Sequence, residues 1–190
     1  MIRYVAFLRA INVGGQKLIK MQELARIFEL AGFKNVRTFI QSGNVIFDSR
    51  SGNSVAVAKK IERVLQQNLG YKVTVMLQTL AEIQDMVSRN PFKKTPPGPD
   101  VMMFVVFLAE EPKPRPKLPV ISTKENFEIF EVRDRAAFIL ARRKKNGLFG
   151  FPNVEKELGV SGTVRNVSTV RKIVDFAAAA ENRTERKKKR

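Results

Sequence analysis

Residues 4–15 read YVAFLRAINVGG, an apolar run that stops at Arg9 and opens into a polar loop closed by Gly14 and Gly15. The apolar run between Arg3 and Arg9 has the length and composition of a strand buried in the middle of a sheet. A central strand needs a neighbouring strand on each edge. The rest of the chain is therefore expected to build a sheet around this segment.

The loop that follows the strand is a candidate ligand site. Arg9 offers a guanidinium, Asn12 an amide and the glycine pair backbone N–H groups, all of which suit an anion or a carbonyl-rich ligand. A plain connection in which the glycines serve turn geometry explains the same residues. Residues 14–17, GGQK, have neither the Walker spacing nor the third glycine of a dinucleotide fingerprint. Both interpretations stay open.

The composition limits the class of protein. With 190 residues, 44% of them hydrophobic, the chain can bury a core, and it has neither a membrane-length apolar stretch nor a signal-peptide pattern. We therefore expect a cytoplasmic protein. The absence of His and Cys excludes thiol nucleophiles, imidazole bases and the usual zinc sites. We expect no metal and no cofactor, and the sequence leaves open whether the protein is an enzyme.

The net charge of +17, from 35 basic and 18 acidic residues, is spread over both halves of the chain. Such a field attracts polyanions and accelerates their association, which is typical of proteins that bind nucleic acid. Solubility alone explains the same charge.

The first half has the element order of a split βαβ unit. After the first strand the pattern predicts a helix from Met21 to Ala31, a hairpin of residues 36–41 and 44–49 around a two-residue Ser42-Gly43 turn, a helix over 54–69 and a strand over 72–77. The sequence strand, helix, strand, strand, helix, strand is typical of the ferredoxin-like arrangement.

This connectivity predicts a site. In the ferredoxin-like unit the first and third strands are adjacent and antiparallel, so the end of the first meets the start of the third, near the beginning of the fourth strand. Polar groups that converge at one sheet edge favour a ligand site, although ordinary hairpin chemistry is the alternative. The predicted ligand-binding residues are Arg9, Asn12, Gly14, Gly15, Gln41, Ser42 and Asn44.

The second half is predicted to be an incomplete copy of the first. Thr79 and Glu82 form a capping box for a helix that ends before Asn90, and residues 93–100 are predicted to be a linker. The remaining pattern predicts strands over 101–108, 127–132 and 136–142, a short helix capped by Asn153, and a longer helix capped by Thr163 with Val164, Val167, Val170, Val174 and Ala177 facing inward.

We therefore predict an α+β fold of two ferredoxin-like (split βαβ) halves, the second incomplete, with C-terminal helices. The expected boundaries are residues 1–92 for the first half and its connecting helix, 93–182 for the second half and the C-terminal helices, and 183–190 for a disordered basic tail.

A basic cluster near the end of the last predicted strand is a candidate nucleic-acid site. It consists of Arg142, Arg143, Lys144, Lys145 and, after a short turn, Phe149. Basic residues beside aromatics can bind a phosphate backbone and stack bases. A solvated turn anchored to the core by two phenylalanines, Phe149 and Phe151, is the alternative.

Three motifs resemble those of a known family, namely RAINVGG at residues 9–15, FIQSGNVIF at 39–47, and TVRN at 163–166 followed by Thr169 and Val170. With these in the right order, the chain resembles the domain of unknown function 1697 family. The resemblance implies a bacterial, soluble protein with two ferredoxin-like halves, and it implies no catalytic residues. The family often has Gly, Tyr and Trp where this chain has Ala10, Phe39 and Val167, so an aromatic stacking role at Val167 is not expected.

Three functions are compatible with the sequence. The first is binding of an anionic or carbonyl-bearing small ligand at the Arg9–Gly15 loop and the Gln41–Asn44 hairpin turn. The second is a nucleic-acid-binding module, although residues 44–49 lack the aromatic signature of RNA-recognition domains. The third is a structural or assembly role in which sheet edges pair between subunits.

Overall fold

The computed structural model describes residues 1–12, 18–95, 98–150 and 153–188, with side chains as far as residue 179. Gly14 and Gly15 lie outside the described residues. The described residues form two antiparallel sheets and five helices, so the fold mixes α and β structure. They divide into two compact units, one of residues 1–85 and 170–190 and the other of residues 86–169.

The first unit is built on a four-stranded sheet with the strand order β2-β3-β1-β4. Strand β1 lies inside the sheet, between β3 and β4, as its apolar sequence predicted, and residues 4–8 are at most 1% exposed. The elements of this sheet and its helices are β1 (Ile2–Leu8), α1 (Met21–Leu30), β2 (Lys34–Phe39), β3 (Asn44–Ser49), α2 (Ser54–Leu69) and β4 (Val75–Thr79).

Helix α2 has the bounds that its caps predict. The side chain of Asn53 accepts a hydrogen bond of 3.0 Å from the backbone N–H of Ala56, which satisfies one of the unpaired donors at the helix start. Gly70 ends the helix in a left-handed conformation with a φ of 77°. Val57, Ile61 and Leu65 are buried on the inner face, in one cluster with alternate residues of β1.

The hairpin is present, but the prediction of a two-residue turn is wrong. Strand β2 ends at Phe39 and β3 begins at Asn44, so four residues connect them. The side-chain amide of Asn44 donates a hydrogen bond of 3.1 Å to the carbonyl of Phe39. This bond spans the four-residue turn from the first residue of β3 to the last residue of β2 and stabilises it.

Helix α3 (Leu80–Arg89) begins with the predicted capping box. Thr79 Oγ1 accepts a hydrogen bond of 3.1 Å from the backbone N–H of Glu82, and the Glu82 carboxylate accepts one of 2.6 Å from the backbone N–H of Thr79. The helix ends before Asn90, as the following proline predicted.

The second unit contains a five-stranded sheet with the order β6-β7-β8-β5-β9. Four of its strands, β7-β8-β5-β9, repeat the strand order of the first sheet. Residues 109–126 contain β6 and no helix, so the second unit lacks a counterpart of α1. Its elements are β5 (Val101–Leu108), β6 (Val120–Ser122), β7 (Phe127–Arg133), β8 (Ala136–Arg142), α4 (Val154–Leu158) and β9 (Gly162–Asn166).

The prediction that Thr163 caps a helix is wrong. Thr163 and Val164 belong to β9, which pairs with β5 so that Phe107 faces Thr163. Both residues are β-branched and fit an extended backbone well, and pairing with the edge of β5 outweighs the weak helical spacing of the valines.

Helix α5 (Val167–Lys188) begins after β9, where Asn166 Oδ1 accepts a hydrogen bond of 2.8 Å from the backbone N–H of Ser168. Val170 and Ala177 are buried, as the helical spacing predicted. The helix continues into the segment that was expected to be a disordered tail, and residues 189 and 190 lie outside the described residues. In the described part of the chain, no helix is both long and apolar enough to cross a membrane.

Candidate functional site

The side chain of Asn12 joins the loop after β1 to the hairpin turn. Its amide nitrogen donates hydrogen bonds of 3.1 Å to the carbonyl of Ile19 and 3.0 Å to the carbonyl of Gln41. Its amide oxygen accepts a bond of 2.8 Å from the backbone N–H of Ile19. The structure thus brings Asn12 and Gln41 together, and the amide of Asn12 holds the backbone of both segments in place.

Asn44 organises the hairpin turn from within. Its side chain is completely buried and donates to the Phe39 carbonyl at 3.1 Å and to the Ser42 hydroxyl at 2.9 Å. The backbone of β1 fixes the same turn, because the Leu8 N–H donates to the Gly43 carbonyl at 2.8 Å. Asn44 therefore positions the turn and has no exposed surface to offer a ligand.

Gly43 is required where the turn meets β1. Its φ is +70°, and a Cβ added there would lie 3.0 Å from the Cβ of Leu8 and 3.3 Å from that of Ile11. The neighbouring side chains would have to shift by a few tenths of an ångström to accommodate a methyl group, and the backbone conformation disfavours any L side chain. The glycine therefore permits the close approach of the hairpin turn to the end of β1.

Arg9 stands where three segments meet. Its backbone N–H donates a hydrogen bond of 3.0 Å to the carbonyl of Thr74, just before β4, and its side chain is half-buried. Gln41 is exposed and Ser42 is half-buried on the adjoining turn. The expected approach of the end of β1, the hairpin turn and the segment before β4 is thus present in the backbone.

Three non-glycine residues at this edge of the first unit have a positive φ. Ala10 has a φ of 55°, Asn12 of 56° and Ile40 of 49°. Asparagine tolerates such values, whereas a β-branched residue with positive φ is a genuine outlier. Sequence reasoning missed this feature. The signal for it was at position 10, where the family often has glycine and this chain has alanine.

In the basic cluster, the side chain of Arg143 stabilises the turn that follows β8. Its guanidinium donates to the Asp100 carboxylate at 2.9 Å, to the Gly147 carbonyl at 2.8 Å and to the Pro99 carbonyl at 2.7 Å. The guanidinium also lies 4.8 Å from the centre of the Phe149 ring. These contacts use most of its donors in the fold.

The other three cations of the cluster differ in their surroundings. Lys144 donates a hydrogen bond of 2.6 Å to the carboxylate of Glu125, and this bond lowers the pKa of Glu125. Arg142 and Lys145 are exposed. Three of the four predicted basic residues are therefore exposed at this turn, and two of the four, Arg143 and Lys144, are engaged in ion pairs.

In the third sequence motif, Thr163 and Arg165 are buried. The Arg165 guanidinium donates hydrogen bonds of 2.8 Å to the Thr163 hydroxyl and 2.8 Å to the Val164 carbonyl. Burial lowers the pKa of Arg165 to about 10. The side chain is still charged at neutral pH, so the motif places a buried cation within the second unit. Among the residues that the structure describes, no cluster of carboxylates could hold a metal ion.

Together these features define a mixed α and β protein with two antiparallel sheets of related strand order. Residues 1–138 match the family described as "Protein of unknown function (DUF1697)", and the chain belongs to this family. The TVRN motif lies beyond the matched residues.

A solved structure shares the fold. It is described as a conserved bacterial protein from Streptococcus pneumoniae, and the two chains superpose with a TM-score of 0.63 at 19% sequence identity. The alignment covers 92% of this chain and 97% of the other. No curated protein matches the sequence.

Proposed function

We propose that this protein binds a small anionic or carbonyl-bearing ligand at the Arg9–Gly15 loop and the Gln41–Asn44 hairpin turn. The observation that carries the proposal is the strained backbone there, at Ala10 and Ile40. Each such residue costs about 1–3 kcal/mol and persists only where the surrounding structure holds it, which is a recurring property of ligand sites.

The polar side chains of this site divide into two roles. Asn12 and Asn44 are positioning residues, because their amides bind backbone groups of the loop and turn. The half-buried Arg9 and the exposed Gln41 supply the guanidinium and the amide that meet the ligand. The proposal assigns Gly14 and Gly15 to backbone donation on the basis of the sequence alone.

We also infer that both units are ferredoxin-like. The first supports this through its βαββαβ order and its antiparallel arrangement β2-β3-β1-β4. The second supports it through the equivalent order β7-β8-β5-β9, with the segment that contains β6 in place of the first helix. The boundary that the sequence predicts between the two halves, near residue 92, remains a prediction.

A thermal-shift screen against phosphate, sulfate, dicarboxylates, amides and nucleotides tests the proposed site. At least one class should stabilise the wild-type protein, and Arg9→Gln and Gln41→Ala should each abolish that stabilisation. Arg63→Gln is the matched control, because Arg63 is exposed on α2 of the same unit. The proposal fails if no class stabilises the wild type, or if Arg9→Gln and Arg63→Gln respond alike.

Nucleic-acid binding is the second candidate function, and it is favoured by the exposure of Arg142 and Lys145 in the same basic cluster in which Arg143 lies over the Phe149 ring. Affinity for single-stranded RNA should fall steeply between low and physiological salt, and Arg142→Ala with Lys145→Ala should reduce the salt slope by about 2. If the salt slope is unchanged, binding depends on the net positive charge of the whole protein and not on these two residues.

An assembly role is the third candidate. Strands β2 and β4 form the edges of the first sheet, and β6 and β9 those of the second, and such edges can pair between subunits. Light scattering tests this directly, because a mass of 21.5 kDa in solution is that of a monomer and excludes stable self-assembly.

A further inference from the structure

The second unit contains a cavity of about 230 Å³ that none of the predicted site residues lines. It lies beside the C-terminal end of α3 and the loop that follows, against strands β7 and β8. Its apolar wall consists of Met86, Pro91 and Phe138, of which Met86 and Phe138 are almost fully buried. Part of the cavity lining is therefore apolar.

The cavity has a positively charged lining. Arg89, Lys93, Lys94 and Arg133 line it with a single carboxylate, that of Glu131. Four cations against one anion give the lining a net charge of +3. An anion that enters this cavity therefore meets an attractive field from several directions.

Two of these cations differ from the others in their pairing. Arg133 Nε lies 3.4 Å from a Glu131 carboxylate oxygen, and Arg89 Nη2 lies 3.1 Å from an Asp134 carboxylate oxygen. Lys93 and Lys94 are exposed and have no carboxylate partner within the described ranges of the chain. A bound anion could therefore pair with Lys93 and Lys94 without displacing an existing ion pair.

The two lysines are held in place by the loop that carries them. Phe92, which directly precedes Lys93, is buried edge-on against Phe130 at 5.3 Å and against Phe138 at 6.0 Å between ring centres. The Lys93 N–H donates to the Asn90 carbonyl at 3.0 Å, which folds the loop into a turn. An anchored turn reduces the conformational entropy that binding would otherwise cost.

We propose that this cavity binds a small phosphate monoester, with the phosphate between Lys93, Lys94 and Arg133 and the organic group on Phe138 and Met86. Tetrahedral oxyanions are preferred ligands of clustered cationic side chains. The cavity is smaller than the roughly 300–1,000 Å³ of pockets for drug-sized ligands, so the ligand is a monoester of a small alcohol, sugar or phenol rather than a nucleotide.

Isothermal titration calorimetry of the whole protein with phenyl phosphate, at low ionic strength, tests the proposal. We expect one binding site and tighter binding of phenyl phosphate than of inorganic phosphate, because only the ester has an organic group that covers the apolar wall. The Lys93→Ala, Lys94→Ala double variant should raise the dissociation constant at least about tenfold. The Lys117→Ala, Lys124→Ala double variant, which loses the same charge from exposed positions of the same unit away from the cavity, should change it less than about twofold.

A second variant keeps the proposal falsifiable if the first does not fold. Glu131→Gln removes the one carboxylate of the lining and releases Arg133, so it should tighten binding by about threefold. Arg9→Gln, in the other unit, should leave phenyl phosphate binding unchanged, which separates this cavity from the site proposed above. Three results would each overturn the proposal: no binding to the wild type at millimolar ligand, equal losses in the two lysine double variants, or equal affinities for the ester and for inorganic phosphate.

Discussion

The side-chain amide of Asn12 donates a hydrogen bond to the backbone carbonyl of Gln41 across 3.0 Å, which fastens the loop after β1 to the turn between β2 and β3. The same side chain exchanges two further bonds with the backbone of Ile19. Both polar atoms of one amide are thus used to fix backbone that belongs to no strand or helix. This relationship ties the backbone of Ile19 and of Gln41 to one side chain.

Asn12→Ala should therefore reduce the stability of the protein. Three hydrogen bonds are lost, two backbone carbonyls and one N–H lose a partner, and alanine tolerates the φ of 56° less well. We expect a loss of about 1–3 kcal/mol in the free energy of unfolding, seen as a lower midpoint of urea unfolding with an unchanged slope. Gln41→Ala is the control, because it retains the accepting carbonyl and should change stability by less than about 0.5 kcal/mol. Equal losses in the two variants would refute the role of the Asn12 side chain.

Gly43 and Gly70 form a matched pair for separating steric from conformational effects. Both have positive φ, +70° and +77°, but a Cβ at Gly43 would meet Leu8 at 3.0 Å, whereas nothing lies within 4 Å of one at Gly70. We expect Gly70→Ala to cost about 1 kcal/mol and Gly43→Ala about 2–4 kcal/mol, because only the second displaces packed neighbours. Thermal unfolding of both variants measures the difference. Similar costs would mean that the turn moves away from β1 without penalty.

Local patterns in the sequence predicted most elements, and the failures have physical causes. The bounds of α2 followed from the helical spacing of Val57, Ile61 and Leu65 and from Gly70 at its end, because helical periodicity and the stop signal are local in the chain. Strand β9 was missed because Val164 fits the helical spacing of the valines that follow it, and the pairing with the distant β5 that places Thr163 and Val164 in a strand is not visible in the local sequence. Non-local pairing of this kind leaves no periodic signal in a five-residue segment.

The candidate site was predictable in its location but not in its chemistry. The strand connectivity correctly placed Asn12 beside the hairpin turn, because adjacency of β1 and β3 follows from the element order. The side chains of Asn12 and Asn44 donate to backbone carbonyls. Such hydrogen bonds depend on atomic positions to within a few tenths of an ångström, which the spacing of residues in a sequence does not determine. The cavity beside α3 was missed because Lys93 and Lys94 lie in a segment with the composition of a linker.

Asp48 should make the stability of the protein depend on acid pH. Burial alone would raise the pKa of Asp48, but hydrogen bonds from Arg3 and Asn35, the shortest being 2.7 Å from Asn35, outweigh it and lower the pKa below its ordinary value of 3.8. Because the folded state has the lower pKa, this stabilisation is complete above the unfolded-state value and is lost as the pH falls through the folded-state value.

Asp48→Asn should consequently destabilise the protein near neutral pH and progressively less below about pH 4, as protonation removes the same interaction from the wild type. Urea unfolding of both proteins between about pH 6 and pH 2 measures this. Asp175→Asn, at an exposed position of α5, is the control and should run parallel to the wild type. A stability difference between wild type and Asp48→Asn that stays constant with pH would show that the Arg3 and Asn35 contacts do not depend on the charge of Asp48.

The contact between Arg37 and Phe176 should bind α5 to β2 within the first unit. The guanidinium carbon of Arg37 lies 3.8 Å from the centre of the Phe176 ring, and its Nη1 donates a hydrogen bond of 3.3 Å to the Phe176 carbonyl. The ring of Phe39 lies 5.1 Å from that of Phe176. Because both side chains are half-buried, we expect a cation–π energy between that of exposed and fully desolvated pairs, about 0.5–1.5 kcal/mol.

A double-mutant cycle with Arg37→Met and Phe176→Leu measures this energy, since both substitutions preserve apolar contact and remove the charge or the ring. The comparison cycle uses Lys60→Met and Phe33→Leu, where the ammonium lies farther from the ring, at 5.3 Å from its centre. Coupling should be larger in the first cycle because the guanidinium is closer and stacks on the ring face. If the two substitutions of the first cycle are additive in the free energy of unfolding, α5 is held to β2 by burial of apolar surface and not by the charge of Arg37.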